Sequence, residues 1–148
     1  MSKYPSYWSK AVKTLSKRDK VLKRLIIKYN DKFLTTRKDI FYSLCKSIVG
    51  QQISVSAANS VFKKFQKKTK RINPLKVSKL SISQLKSCGL SRQKALGIKE
   101  LSIKFVKKEF NPKLIKNMND EEAIQYLSSL RQIGMECRND FTIHLQSF

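Results

Sequence analysis

The chain has 148 residues, with 32 Lys and Arg against 10 Asp and Glu and a formal net charge of +22, and its length suits one ordinary domain. Such a basic excess attracts polyanions and makes nucleic acid the leading partner, although an A+T-rich genome also enriches lysine, so the charge has two explanations. No segment approaches the roughly 20 apolar residues of a membrane span, and the N-terminus lacks a cleavable apolar leader. We therefore expect no membrane association and a soluble, cytoplasmic protein associated with the nucleoid.

The apolar residues recur at helical spacing along the chain, and no sustained two-residue alternation indicates a strand. Helical stripes are predicted over residues 8–15, 22–29, 40–48, 57–65, 95–105 and 123–130. Between the fourth and fifth stripes, a polar segment ending at Pro74 is read as the end of a helix. We predict an all-α domain without internal repeats.

Several helix boundaries have their own local signals. Ser81 and Gln84 are spaced as a capping box, and Gly89 is placed to end that short helix. Ser91 is placed to cap the next helix. Before the last stripe, Asn119 is followed three residues later by a glutamate, which predicts a second capping box.

Cysteine and histidine are sparse. Cys45, Cys88 and Cys137 are widely spaced, and the chain has a single histidine. This pattern predicts neither a disulfide framework nor a zinc site, and it fits a reducing compartment.

The segment IVGQQISVSAANSVF places two polar amides at a corner between two apolar helices. Gln51 and Gln52 have a common interpretation as a solvated bend. In the alternative interpretation, a side chain at such a corner enters a duplex and fills the gap left by an extruded base. Under that interpretation Gln51, Gln52 and Ser54 are candidate DNA contacts.

The segment LRQIG forms a second candidate site, directly after the last capped helix. A helix, a tight glycine-containing turn and a following helix can direct backbone N–H groups toward a DNA phosphate, because glycine lets the phosphate approach closely. The same dipeptide after a helix is more often a simple C-cap, so this signal is weak by itself.

Four segments in order, YW..A...L, SIVGQQISVSAANSVF, LSISQLKSCGLSRQKALGIKELS and MNDEEAIQYLSSLRQIG, resemble the helix-hairpin-helix DNA glycosylases, and among them the 3-methyladenine DNA glycosylase II branch. The resemblance covers about residues 4–134. It implies a helix-hairpin-helix glycosylase domain that binds duplex DNA as a monomer, flips a damaged nucleotide into a pocket and hydrolyses its N-glycosidic bond. In this family Gln52 matches the wedge position and Gln51 its neighbour.

The resemblance also assigns roles at the hairpin. The backbone carbonyls of Ser128, Leu130 and Ile133 match those that hold a monovalent cation, and Gly134 matches the residue whose amide binds phosphate. Gln132 and Ile133 are then further DNA contacts, although Gln132 replaces the usual first glycine of the hairpin. No other cofactor is expected, because an iron–sulfur cluster needs four cysteines.

After Gly134 the resemblance stops. Met135 must be encoded by ATG and Glu136 by a codon that begins with G, so the frame one nucleotide later gives tryptophan, as the family pattern has there. We therefore predict a glycosylase domain over residues 1–134 and a frameshifted, non-family tail over residues 135–148.

The family's catalytic aspartate, which stabilises the developing sugar cation, follows the segment that the tail replaces. The chain is therefore expected to be inactive, and we assign it no catalytic residue. The alternative functions are a non-catalytic DNA-binding helix-hairpin-helix module and, less favoured, a basic ribosome- or nucleoid-associated protein.

Overall fold

The computed structural model describes Pro5 and residues 7–32 and 39–130. The described residues fall into two compact units, the first ending before residue 39 and the second beginning there. They contain helices and turns but no strand, which confirms the all-helical fold class. No helix in the described ranges is long and apolar enough to cross a membrane.

The first unit is a pair of helices, α1 over Trp8–Arg18 and α2 over Lys20–Lys28. Asp19 separates them, and its carboxylate accepts hydrogen bonds from two backbone N–H groups of α2, at 2.7 and 2.9 Å. The predicted stripes do form helices, but neither helix contains a buried residue. Leu15 is 44% exposed and Leu25 is 45% exposed.

The second unit contains the remaining helices, and a capping side chain precedes each of them. They are α3 (Ile40–Gly50), α4 (Val55–Thr69), α5 (Pro74–Ser78), α6 (Ile82–Lys86), α7 (Arg92–Val106), a 3-10 helix (Pro112–Asn117) and α8 (Asp120–Ser128). The capping boxes predicted before α6 and α8 are both present, and Ser91 caps α7 as predicted. Gly89 ends the turn after α6 with a φ of +95°, which glycine adopts without strain.

The sequence did not predict two of these elements. The sequence pattern predicts the end of a helix at Pro74, whereas this residue is the first of α5, directly after the capping side chain of Asn73. The 3-10 helix begins in the same way, with Asn111 before Pro112. Proline is favoured at a first helical position because the N–H it lacks would have no partner there.

The core of the second unit lies around α7, which contacts α3, α5 and α6, while α4 packs on α3. Six of its largest fully buried side chains come from five different helices, and these are Leu44, Ile48, Phe65, Leu85, Ile98 and Leu127. In α4 the buried face carries Phe62, Phe65 and Thr69. Ala57 lies off this face and is exposed, so its place in the predicted stripe is wrong.

A row of aromatic rings joins α3, α7 and α8. The Phe41 and Phe105 ring centroids are 5.1 Å apart, those of Phe105 and Phe110 are 5.2 Å apart, and Phe110 stacks on Tyr126 at 5.0 Å. The Tyr126 hydroxyl accepts a hydrogen bond from the Asn111 backbone N–H at 2.9 Å. These contacts fix α8 against the core.

Candidate nucleic-acid interface

The corner between α3 and α4 holds three of the predicted site residues within four positions. α3 ends at Gly50, Gln51 continues in extended conformation, and the Ser54 side chain caps α4 by accepting a hydrogen bond from the Ala57 N–H at 3.2 Å. Gln52 is exposed and has a φ of +55°. A left-handed conformation costs a residue with a side chain about 1–2 kcal/mol, and it persists where the surrounding structure holds it.

Lys94 from the first turn of α7 provides a contact that holds this corner. Its Nζ donates hydrogen bonds to the backbone carbonyls of Val49 at 2.9 Å and Gln51 at 2.6 Å. Partial burial removes water from the ammonium group and lowers the Lys94 pKa. The ammonium group therefore binds the two carbonyls on either side of the end of α3, next to Gln52.

Lys94 is not among the site residues predicted from the sequence, although its position in a helix carries a signal. A cation in the first turn of a helix opposes the helix dipole, and Lys94 is the third residue of α7. The partner of the Lys94 ammonium group is the C-terminal end of another helix, where the dipole favours a cation.

A cleft of about 370 Å³ opens beside the corner, lined by Lys46, Gly50, Ile53, Val55, Ala58, Asn59 and Phe62. Ile53 is 39% exposed and Val55 is 78% exposed, so apolar surface flanks the capping serine. A Cβ added at Gly50 would meet no atom within 4 Å. The corner thus presents one amide side chain and two apolar side chains to solvent.

Two further predicted residues, Ser128 and Leu130, lie at the C-terminal end of α8. The carbonyl of Ser129, between them, accepts a hydrogen bond from the ammonium group of Lys104 at 3.1 Å. Terminal carbonyls carry the negative end of the helix dipole, so this end suits a cation. The other predicted hairpin residues, Gln132, Ile133 and Gly134, lie outside the described residues.

Metal-binding side chains do not cluster in the described part of the chain, where no group of three His, Cys, Asp or Glu residues could hold an ion. Cys45 and Cys88 form no disulfide and are buried, and burial raises the pKa of both thiols. The predicted cation at the hairpin would bind backbone carbonyls, which are a different set of ligands.

The sequence of this chain matches one known protein superfamily over most of the second unit. A model of the HhH-GPD superfamily of base excision DNA repair proteins matches residues 45–143, about two thirds of the chain. The chain belongs to this superfamily. The matched range begins within α3, includes the corner, the cleft and Lys94, and continues past Gly134. The superfamily predicted from the sequence is confirmed.

Solved structures of three 3-methyladenine DNA glycosylases share the fold. The DNA-3-methyladenine glycosidase of Bacillus halodurans is 22% identical, with a TM-score of 0.71 over 78% of this chain and 54% of that one. A Schizosaccharomyces pombe 3-methyladenine DNA glycosylase in complex with abasic DNA is 22% identical, with a TM-score of 0.78 over 91% and 69%. The Archaeoglobus fulgidus 3-methyladenine DNA glycosylase is 26% identical, with a TM-score of 0.69 over 84% and 46%.

The chain thus spans about half the length of two of these three proteins. No curated protein sequence matches it.

Proposed function

We propose that this HhH-GPD protein acts in base excision repair on duplex DNA that contains alkylated bases such as 3-methyladenine. The reaction proposed for the family domain is hydrolysis of the N-glycosidic bond of a flipped nucleotide. The protein would bind DNA as a monomer. The observation that carries this proposal is the corner at Gln52, where an exposed amide side chain lies on a left-handed backbone beside the partly buried Lys94 contact.

The geometry of the corner supports a wedge role for Gln52. A side chain that replaces an extruded base must project from the protein surface. It must also keep its conformation inside the duplex, because its contacts there offset the free energy lost when the base leaves the stack. Gln52 projects on a left-handed backbone, and Lys94 binds the carbonyl of the residue before it. Ile53 and Val55 add apolar surface of the kind that partly unstacks base steps.

In the proposed reaction, the bond from the sugar C1′ to the base nitrogen breaks and its electron pair leaves with the base, which neutralises a cationic base such as 3-methyladenine. Water adds its oxygen to C1′ and loses a proton to solvent. A carboxylate beside the sugar would stabilise the positive charge that develops. We assign this role to no described residue. In this proposal the backbone carbonyls of Ser128 and Leu130 would be two of the ligands of a monovalent cation, which would fix the hairpin against phosphate.

The first test compares binding to a duplex with one abasic site and to an undamaged duplex of the same sequence. We expect tighter binding to the abasic duplex, and Gln52→Ala should weaken that complex more than the undamaged one, because the wedge acts only where a base is out of the stack. Fluorescence anisotropy with labelled duplexes measures both affinities.

Equal losses on the two duplexes would return Gln52 to the solvated-bend interpretation. A second measurement uses the chain that is read in the shifted frame after Gly134. If that chain prefers the abasic duplex but releases no base, a non-catalytic DNA-binding module is favoured. Absence of any abasic preference in the wild-type chain would contradict the proposed function itself.

A further inference from the structure

The charge of the second unit is distributed in an unusual way. Residues 40–99 contain thirteen Lys and Arg residues and no Asp or Glu, and the flanking acidic residues are Asp39 and Glu100. Codon usage in an A+T-rich genome does not explain this stretch, because GAA and GAT encode Glu and Asp and are themselves A+T-rich. The stretch includes α3 to most of α7, so one continuous part of the unit has positive charge without compensation.

Within this stretch, α4 presents a cluster of lysines to solvent. Lys63, Lys64 and Lys67, which we call the lysine face, are all exposed and lie opposite the buried Phe62 and Phe65. Successive residues of a helix are rotated by about 100°, which places Ser56 and Ser60 on the same side of α4 as the lysine face. Both serines are exposed. With a rise of about 1.5 Å per residue, Lys67 lies roughly 20 Å along the helix axis from the corner.

The lysine face has no carboxylate partners in the described part of the chain. The ion pairs there are formed by Lys32, Lys104 and Lys107, none of which belongs to α4. Its neighbour Lys68 donates a hydrogen bond to the neutral Ser87 hydroxyl at 3.1 Å.

Helix stability does not account for the lysine face either. Cations in the last turn of a helix are stabilised by its dipole, and this applies to Lys67 and Lys68. The effect falls off within one turn, so Lys63 and Lys64 lie outside it. Lys63 and Lys67 also form a like-charge pair at a spacing of four residues, which destabilises a helix. An external anion would remove this repulsion.

We propose that the lysine face is a second DNA-binding surface, which contacts the phosphate backbone of duplex DNA without regard to sequence or lesion. The choice of duplex DNA as the partner rests on the proposed function. Lysine ammonium groups bind phosphates as point charges, and the serines before them leave room for a sugar–phosphate backbone. The surface retains the protein on undamaged DNA, while the corner at Gln52 detects the flipped nucleotide.

The test measures the salt dependence of binding to undamaged duplex for the full chain. Each lost phosphate contact lowers the slope of log K against log salt by about 0.9, so K63Q/K64Q/K67Q should lower the slope by about 2.7. When salt is raised from about 50 to about 200 mM, the wild type should therefore lose about 40-fold more affinity than the triple glutamine variant. The triple Lys→Arg variant keeps the charge and should keep the wild-type slope.

The matched control is K107Q/K108Q/K113Q, which removes the same charge from exposed lysines of the same unit outside the acid-free stretch. Its slope should stay at the wild-type value. An equal decrease in both glutamine variants would show a general charge effect and overturn the proposal, as would an unchanged slope in K63Q/K64Q/K67Q.

The ratio of affinities for abasic and undamaged duplex separates this proposal from the proposed function. The lysine-face variant should keep the wild-type ratio, because the corner is intact. A wild-type chain with no abasic preference would contradict the proposed function, whereas the slopes on undamaged duplex would still decide whether the lysine face binds DNA.

Discussion

Replacing Lys94 by methionine should separate the stability of the corner from its recognition of damage. Methionine keeps most of the length and apolar volume of the lysine side chain, but it cannot donate to the carbonyls of Val49 and Gln51. We expect Lys94→Met to lower stability moderately and to reduce binding to an abasic duplex strongly.

The expected magnitudes follow from the contacts. A hydrogen bond to a charged group contributes about 1.5–3 kcal/mol, but Lys94 is only partly buried, and water can replace the ammonium group at the two carbonyls. We therefore expect the free energy of unfolding to decrease by about 2 kcal/mol. This corresponds to a decrease in Tm of about 4–8 °C for a chain of this size. If the corner relaxes, restoring the left-handed Gln52 on binding costs about 1–2 kcal/mol, or about 5- to 30-fold in affinity.

α7 supplies a matched control in Lys99. Its Nζ also donates to two backbone carbonyls near the end of a helix, those of Ser78, the last residue of α5, and Leu80. Lys99→Met removes the same charge from the same helix and breaks the same number of contacts. It should therefore lower Tm by a similar amount and leave the preference for abasic DNA unchanged.

Thermal unfolding and anisotropy with abasic and undamaged duplexes measure these effects. The assigned role of Lys94 would be wrong if both methionine variants lost the abasic preference equally. It would also be wrong if Lys94→Met lowered Tm and kept the wild-type preference.

Three further predictions concern two glycines and the reading frame. Gly89→Ala should lower stability by at least about 1 kcal/mol, because alanine is strained at a left-handed φ, which is +95° here, and its Cβ would lie 3.1 Å from a valine methyl. Gly50→Ala should leave stability unchanged or raise it by up to about 1 kcal/mol in a denaturant titration, since its Cβ meets no atom within 4 Å. Shifting the reading frame by one nucleotide after the Gly134 codon should yield a protein that releases 3-methyladenine from methylated DNA, whereas the chain as given should release none. Base release by the given chain would contradict the assignment of residues 135–148 as a non-family tail.

The features that the sequence predicted well depend on neighbours within four residues. The capping boxes before α6 and α8 and the left-handed Gly89 are of this kind, because a cap or a turn is decided by its own side chains and backbone. Pro74 shows the limit of such signals. Proline both ends helices and begins them, and the choice here depended on the Asn73 cap.

The parts of the site that the sequence did not predict depend on distant contacts. The hydrogen bonds from Lys94 reach residues 43 and 45 positions earlier, so no local pattern contains them. The left-handed conformation of Gln52 depends on the same packing, since glutamine alone does not favour it. The apolar stripes predicted helices α1 and α2 correctly. A stripe shows which side chains share a helix face but not whether that face is covered, so the exposure of Leu15 and Leu25 was not predicted.

The division into two units has a spectroscopic consequence. The single tryptophan of the chain, Trp8, lies in α1 of the first unit, whereas the corner, the cleft and the lysine face belong to the second. Indole emission therefore reports the surroundings of the first unit, while most of the far-ultraviolet ellipticity comes from the longer helical content of the second. Denaturation curves recorded by the two signals would coincide if the units unfold as one cooperative block, and separate midpoints would give each unit its own stability.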